Sequence, residues 1–393
     1  MQPTSGCNLN CTYCYVPNRR DYTRMNERTL EAAIVRVLES DLVRDEVEFI
    51  WHAGEPLLAG LPFYQRATEL IERHNTRSLA VKNCVQTNGV LLDDRWCGFF
   101  AEKRFIVGLS LDGPAFLHDG RRVSWTGRGS HREAMRGYKA LRRHGVTLGV
   151  ICVLTRESLR HPQELCAFFL ENGVDYLCFN LEEIENANRS SSFVPAVPMA
   201  AERSADLVEE YREFMSCFYN LWRPHASRMV VREFRDLAAI FQLTLENPSY
   251  HSRPLESVEL GIITVHKNGD LSTYSPELAG AVSAEFDNFV VGNVLQAPLS
   301  AILRHPTFLK LRERISAGVS NCQSSCDYFN ICGGGFVSNK LFENGSFEST
   351  QTTTCLLHRQ TLASVLLDKL SPAGGSEVAI EPPSRGRERG ESD

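Results

Sequence analysis

The sequence predicts an α/β protein: a partial parallel (β/α)6 barrel of the TIM type, followed by a smaller, cysteine-rich domain. Three observations carry this. Segments with helical apolar spacing alternate with short apolar runs over the first 180 residues, the pattern of a parallel sheet with helical crossovers. Polar motifs stand at the carboxyl ends of those runs, where parallel barrels carry their chemistry. The thirteen cysteines fall into a group at residues 7–14, a group at 322–355 and six scattered between.

Taken in order, the first strand is expected ahead of the cysteine loop, where residues 1–4 stand. Only four residues precede the cysteine loop, whereas a strand takes about five or six, so the sequence raises the expectation that residues are missing at its start. Asn26 caps a helix in which Leu30, Ala33, Ile34, Val37 and Leu38 recur at helical spacing. Strands at 47–51, 80–85, 105–111, 146–154 and 174–179 then alternate with helices at 63–74, 94–103, 131–144 and 162–171. The strand-end motifs are His52-Ala53-Gly54-Glu55-Pro56, Gln86-Thr87-Asn88-Gly89, Ser110-Leu111-Asp112-Gly113-Pro114 and Asn180 through Glu183. This barrel is assigned to 1–198, and 199–257 reads as a helical bridge with no strand. A second unit, 258–370, opens with a hairpin around Asn268-Gly269, a strong turn signal, and closes with a helix at 356–370. The Gly-, Pro-, Ser- and charge-rich stretch 371–393 predicts a disordered tail.

A net charge of −6 with no basic block before the tail gives no nucleic-acid surface. No apolar run reaches transmembrane length and no signal peptide is present, so the expected compartment is the cytoplasm, with no membrane partner. There, cysteines serve as metal ligands or small apolar residues more often than as disulfides. Cys84, Cys97, Cys152, Cys166, Cys178 and Cys217 lie in apolar stretches and read as core residues.

Cys7-x3-Cys11-x2-Cys14 offers three thiolates in one short loop, enough for three corners of an iron–sulfur cubane with the fourth iron open. Zinc is the alternative, but a structural zinc site takes four ligands. With Tyr13 before the last cysteine and Gly54-Glu55-Pro56 one βα unit later, the chain resembles the radical S-adenosylmethionine (SAM) family. The resemblance implies a [4Fe–4S] cluster on Cys7, Cys11 and Cys14 whose open iron is chelated by SAM. It places Tyr13 against the adenine, Gly54 and Glu55 at the methionine amino group, and Asn88 and Ser110 around SAM, with Arg122 a candidate for its carboxylate. Asp112 shares its motif and reads as a turn-shaping residue. One electron from the reduced cluster then cleaves SAM to methionine and a 5′-deoxyadenosyl radical.

Cys322-x3-Cys326-x5-Cys332-Gly333-Gly334-Gly335 with Cys355 supplies four thiolates, which suit a closed cubane or a zinc ion. This region resembles the SPASM/twitch extension of radical SAM enzymes that modify peptides, which implies an auxiliary cluster on these four cysteines. Phe336 stands where that family's inner cluster has a cysteine, and Ser272 to Ser275 lacks another, so two [4Fe–4S] clusters are expected. Glu182, Glu183 and Glu277 are candidates for a catalytic base, with Tyr274 as an alternative. The motifs look most like the branch that crosslinks ribosomally made precursor peptides, which implies a cyclophane-type carbon–carbon bond and an electron donor such as flavodoxin or ferredoxin. The alternatives are formylglycine formation as in anaerobic sulfatase maturation, thioether formation, and a non-enzymatic iron–sulfur carrier.

Overall fold

The alternation folds as a six-stranded parallel sheet in a computed structural model that describes residues 1–194 and 201–371. Its strands are β1 (Glu46–Trp51), β2 (Ala80–Thr87), β3 (Ile106–Ser110), β4 (Thr147–Leu154), β5 (Tyr176–Leu181) and β6 (Val230–Val231), paired in chain order. Alternate strand residues such as Val85, Val107, Leu109, Val150, Cys152 and Phe179 are buried, and the crossover helices cover the sheet with apolar stripes. In helix Glu27–Leu38 that stripe is Leu30, Ala33, Ile34 and Leu38, with Asn26 accepting the Thr29 amide as expected of its cap. Among the described residues no helix is long and apolar enough to cross a membrane.

The sheet differs from expectation at both edges. β6 lies inside the segment read as strandless, between helices Ala201–Trp222 and Arg232–Glu246. It has two residues, Val230 and Val231, which pair with Tyr176 and Leu177. A strand that short has no alternation to read. At the other edge, residues 1–6 form no named strand. The Met1 amino group donates to the Ile50 carbonyl (2.8 Å) and the His52 amide to the Met1 carbonyl (3.0 Å), so the chain start lies beside β1.

The second unit holds an antiparallel sheet of β7 (Ile263–Val265), β8 (Asp270–Thr273) and β9 (Gly292–Asn293). Helices Pro306–Ser325, Val337–Asn344 and Leu362–Leu370 follow, the last preceded by a π-helical stretch at Leu356–Thr361. The two units are stitched together. The Asn186 amide donates to the carbonyls of Glu277 (2.9 Å) and Ala279 (3.1 Å), and Lys267 reaches Ser5 (3.0 Å) and Asp21 beside the first cysteine loop. The expected disordered tail lies, after Ser371, outside the described residues.

Candidate active site

The first cysteine loop is pinned from several sides. The Cys7 amide donates to the Arg19 carbonyl (2.9 Å), while its own carbonyl accepts from the Trp125 indole (2.8 Å) and the Tyr22 hydroxyl (3.2 Å). The Leu9 amide points at Cys7 Sγ (3.4 Å), a donor suited to a thiolate. The three lie near enough that charge on Cys11 or Cys14 adds to the burial that raises the Cys7 thiol, and charge on Cys14 adds to the burial that raises Cys11. Burial pushes the Cys11 thiol up to about 11 and Cys7 higher, so these protons leave only when a metal displaces them. The donor set fits an iron–sulfur cluster.

The turn after β1 lies directly against this loop. Gly54 has φ +56°, and a Cβ there would stand 2.3 Å from the Gly6 carbonyl oxygen, so only glycine fits. The Glu55 amide donates to that same carbonyl (2.8 Å). The Glu55 carboxylate is fully buried and accepts from the Leu57 amide (3.0 Å), the Thr87 hydroxyl (2.8 Å) and the Asn88 amide (2.9 Å). Burial outweighs these bonds and raises it to about 7. The Glu55 side chain, expected at the SAM amino group, staples two strand-end loops together.

Asn88 donates to Asn8 Oδ1 (2.8 Å) and stands 3.9 Å from Cys7 Sγ, and Ser110 accepts from Gln86 (2.9 Å). Arg122, expected at the SAM carboxylate, pairs with Asp112 through its Nε and Nη2, in bonds of 2.9 and 3.1 Å. Both are buried, and an unpaired charge there would be costly. Asp112 is thus more than a turn residue: it also accepts from the Tyr13 hydroxyl and the Val153 amide (3.0 Å), and Arg122 lies 5.3 Å from the Tyr13 ring centre.

Past the end of β5 opens a cavity of about 540 Å³, walled by the barrel on one side and by Phe336, Ser338 and Thr354 of the second unit on the other. Glu183 and Glu277 line it as candidates for a base should; Glu185 and Glu256 line it as well. Thr354 donates to Glu183 (2.7 Å), Ser338 to Glu185 (2.8 Å) and Ser275 to Glu277. Burial raises all four, Glu183 to about 7, and for Glu183, Glu185 and Glu256 the neighbouring carboxylates push in the same direction. Glu185 belongs to the same acidic run as Glu182 and Glu183, whereas nothing in the sequence marks Glu256, which reaches the cavity only through the tertiary fold.

Two of the base candidates lie elsewhere. Glu182 accepts from the Ser192 amide (2.8 Å) and shapes its own loop, because adjacent residues of an extended segment face opposite ways and Glu183 takes the cavity side. Tyr274 is 1 % exposed, packed 6.1 Å from Phe308 in the core of the second unit.

All four carboxy-terminal cysteines line a separate cavity of about 250 Å³. Cys322 comes from the last turn of helix Pro306–Ser325, Cys326 caps that helix, and Cys332 and Cys355 end the short helices Phe329–Cys332 and Thr353–Cys355. Gly333 turns the chain at φ +67°, where a Cβ would overlap the Ser252 carbonyl. Lys340, 2 % exposed, donates to Gly318 O (2.9 Å) and approaches Cys322 Sγ (3.3 Å); nothing in the sequence marked it. The four thiols ring one space, a donor set that serves either a closed cubane or a zinc ion. Of the six other cysteines, Cys97, Cys152, Cys166 and Cys178 are buried, and Cys84 and Cys217 partly so.

The Tyr15 carbonyl, one residue past Cys14, accepts from the Ala187 amide (3.0 Å), which ties the first cysteine loop to the segment following Glu183 and Glu185. Arg359 lines the acidic cavity and draws down the Cys332 thiol, although burial raises that thiol on balance.

The profile of the radical SAM superfamily matches residues 1–169. Over 383 residues the chain is 36 % identical to the uncharacterized protein sll1766 of Synechocystis, a match covering 95 % of this chain and 92 % of that one. The chain is a radical SAM enzyme. It is also 31 % identical over 248 residues to a cysteine-type anaerobic sulfatase-maturating enzyme of Clostridium perfringens, covering 60 % of this chain and 63 % of that enzyme. In fold, this radical SAM enzyme is similar to anSMEcpe solved with AdoMet and the Cp18Cys peptide (TM-score 0.72, 22 % identity, 93 % of this chain and 94 % of that one). It is similar too to Streptococcus suis SuiB bound to its precursor peptide SuiA (TM-score 0.56, 16 % identity, 90 % and 74 %). Membership of the superfamily brings SAM and a [4Fe–4S] cluster as cofactors, and the loop bearing Cys7, Cys11 and Cys14 lies within the matched residues.

Proposed function

We propose that this enzyme removes hydrogen from a side-chain Cβ of a ribosomal precursor peptide and joins that carbon to a neighbouring side chain, with a cyclophane-type bond to an aromatic ring as the product. One observation carries the reading: a carboxylate-lined cavity past the end of β5 is walled on its far side by the second unit, from which Thr354, the neighbour of Cys355, donates to Glu183 (2.7 Å). Cys7, Cys11 and Cys14 hold the SAM-binding cluster, and Tyr13, Asn88, Ser110 and the Gly54-Glu55 backbone shape the SAM site. Bound SAM and its cluster supply the radical that takes the hydrogen. Coupling to a ring leaves one proton and one electron to dispose of. Glu183 or Glu277 takes the proton: both line the cavity, burial raises both, and Glu183, raised to about 7, has the proton affinity a base needs. Cys322, Cys326, Cys332 and Cys355 hold an auxiliary cluster with every iron capped by protein, suited to accepting the electron. A flavodoxin or ferredoxin returns electrons to the first cluster.

Identity to a sulfatase-maturating enzyme favours formylglycine formation as the second reading. Anaerobic co-expression with the small open reading frames beside the gene, followed by peptide mass spectrometry, separates the two. Loss of two hydrogens with a ring-to-Cβ linkage is expected. An aldehyde at a Cys or Ser would establish the second reading, and peptides unchanged throughout would sink the first.

A further inference from the structure

A lysine inside a protein is costly unless something anionic faces its ammonium. Lys340, in helix Val337–Asn344, is 2 % exposed. Among the described residues its Nζ has two hydrogen-bond partners, the Gly318 carbonyl oxygen (2.9 Å) and Cys322 Sγ (3.3 Å). Neither is a carboxylate. A carbonyl offers only a partial charge, so the group able to neutralise this buried cation is the sulfur, as a metal-bound thiolate.

Two other sulfurs of this set are served by neutral donors. The Gly334 and Gly335 amides are directed at Cys332, and Cys355 accepts from the Gln360 side chain (3.4 Å). Arg359, over the Phe336 ring (4.9 Å to its centre), acts on Cys332 by charge at a distance. Lys340 is the cation in contact with a sulfur. Its helix also reaches the acidic cavity, where Ser338 donates to Glu185 (2.8 Å).

A closed cubane on four thiolates is anionic, and its negative charge grows when an electron enters. A fixed cation hydrogen-bonded to a ligand sulfur therefore stabilises the reduced form more than the oxidised form, which raises the reduction potential. We propose that Lys340 is a positioning residue that acts through the auxiliary cluster: its buried ammonium, held on Gly318 and aimed at Cys322, sets the potential at which that cluster takes the electron left by crosslinking. The inference rests on the two-cluster reading and adds to it what makes the second cluster an acceptor. In the step it serves, the coupled ring radical gives one electron to the cluster and one proton to Glu183 or Glu277.

The test is a redox titration of the reconstituted enzyme followed by electron paramagnetic resonance, with and without SAM; the signal that SAM leaves unchanged reports the auxiliary cluster. Lys340→Met keeps the stem and removes the charge. It should make one-electron reduction about tenfold or more less favourable, a fall in midpoint potential of about 59 mV. Lys340→Arg keeps the charge and should recover at least about half of that shift. An unchanged potential in Lys340→Met enzyme with wild-type iron content, or equal falls in both variants, would overturn the proposal. A measurement on the unsubstituted protein decides the matter if neither variant folds. With the heavy isotope of nitrogen placed at lysine Nζ, pulsed resonance should show a nitrogen coupling on the SAM-insensitive signal, and its absence would overturn the proposal too. A wild type that lacks this signal and holds zinc beside about four irons would sink the two-cluster reading and this inference with it. Two clusters with a potential indifferent to Lys340 would sink the inference alone.

Discussion

At the scale of single residues, the carboxylates show how position overrides type. Glu182 and Glu183 are neighbours in sequence, yet one caps a loop and the other faces the cavity. Glu183 has the consequence easiest to measure. Burial lifts it from 4.5 to about 7 in the fold, so the folded state holds the proton more tightly than the unfolded chain. Its contribution to stability is therefore present below 4.5 and lost as pH rises through about 7. Glu183→Gln keeps an acceptor for the Thr354 hydroxyl and removes the titration. The free energy of unfolding of the variant should fall less steeply with pH over this window than that of the wild type. Identical slopes in urea titrations across the range would count against the assigned burial.

At the scale of elements, the barrel strands were legible because β1 to β5 are apolar, five to eight residues long and separated by amphipathic helices. β6 was not, since two valines between helices carry no period. The structure gives that short strand a definite task. The Val230 amide donates to the Asp175 carbonyl (2.8 Å), and Arg232 just beyond bonds the end of β5 at the cavity wall. Val230→Pro removes that amide and should cost about 1–3 kcal/mol in denaturant unfolding, with weaker peptide binding as the wall shifts. A variant as stable as the wild type would show that the sheet effectively ends at β5.

At the scale of the whole molecule, two cysteine sets lie far apart in sequence, and the two-cluster reading makes them separable. Reconstituted enzyme should hold about eight irons, four per cubane. Changing Cys7, Cys11 and Cys14 together to Ala should leave about four and abolish SAM cleavage, whereas Cys355→Ala should spare cleavage and reduce crosslinked peptide. Cleavage surviving in the triple variant, or full crosslinking by a folded Cys355→Ala enzyme, would remove the corresponding assignment. Much of this was written in the chain itself. Both cysteine groups, the glycine turn at Gly54 and the parallel alternation are local patterns, set by spacing and backbone chemistry within a few residues. The tertiary structure alone decided that Glu55 staples loops, that Arg122 pairs with Asp112, that Tyr274 belongs to a core, and that Glu256 and Lys340 reach the sites. Those outcomes depend on which partner lies across a fold contact, and burial and pairing, unlike spacing, are properties no single stretch of sequence possesses.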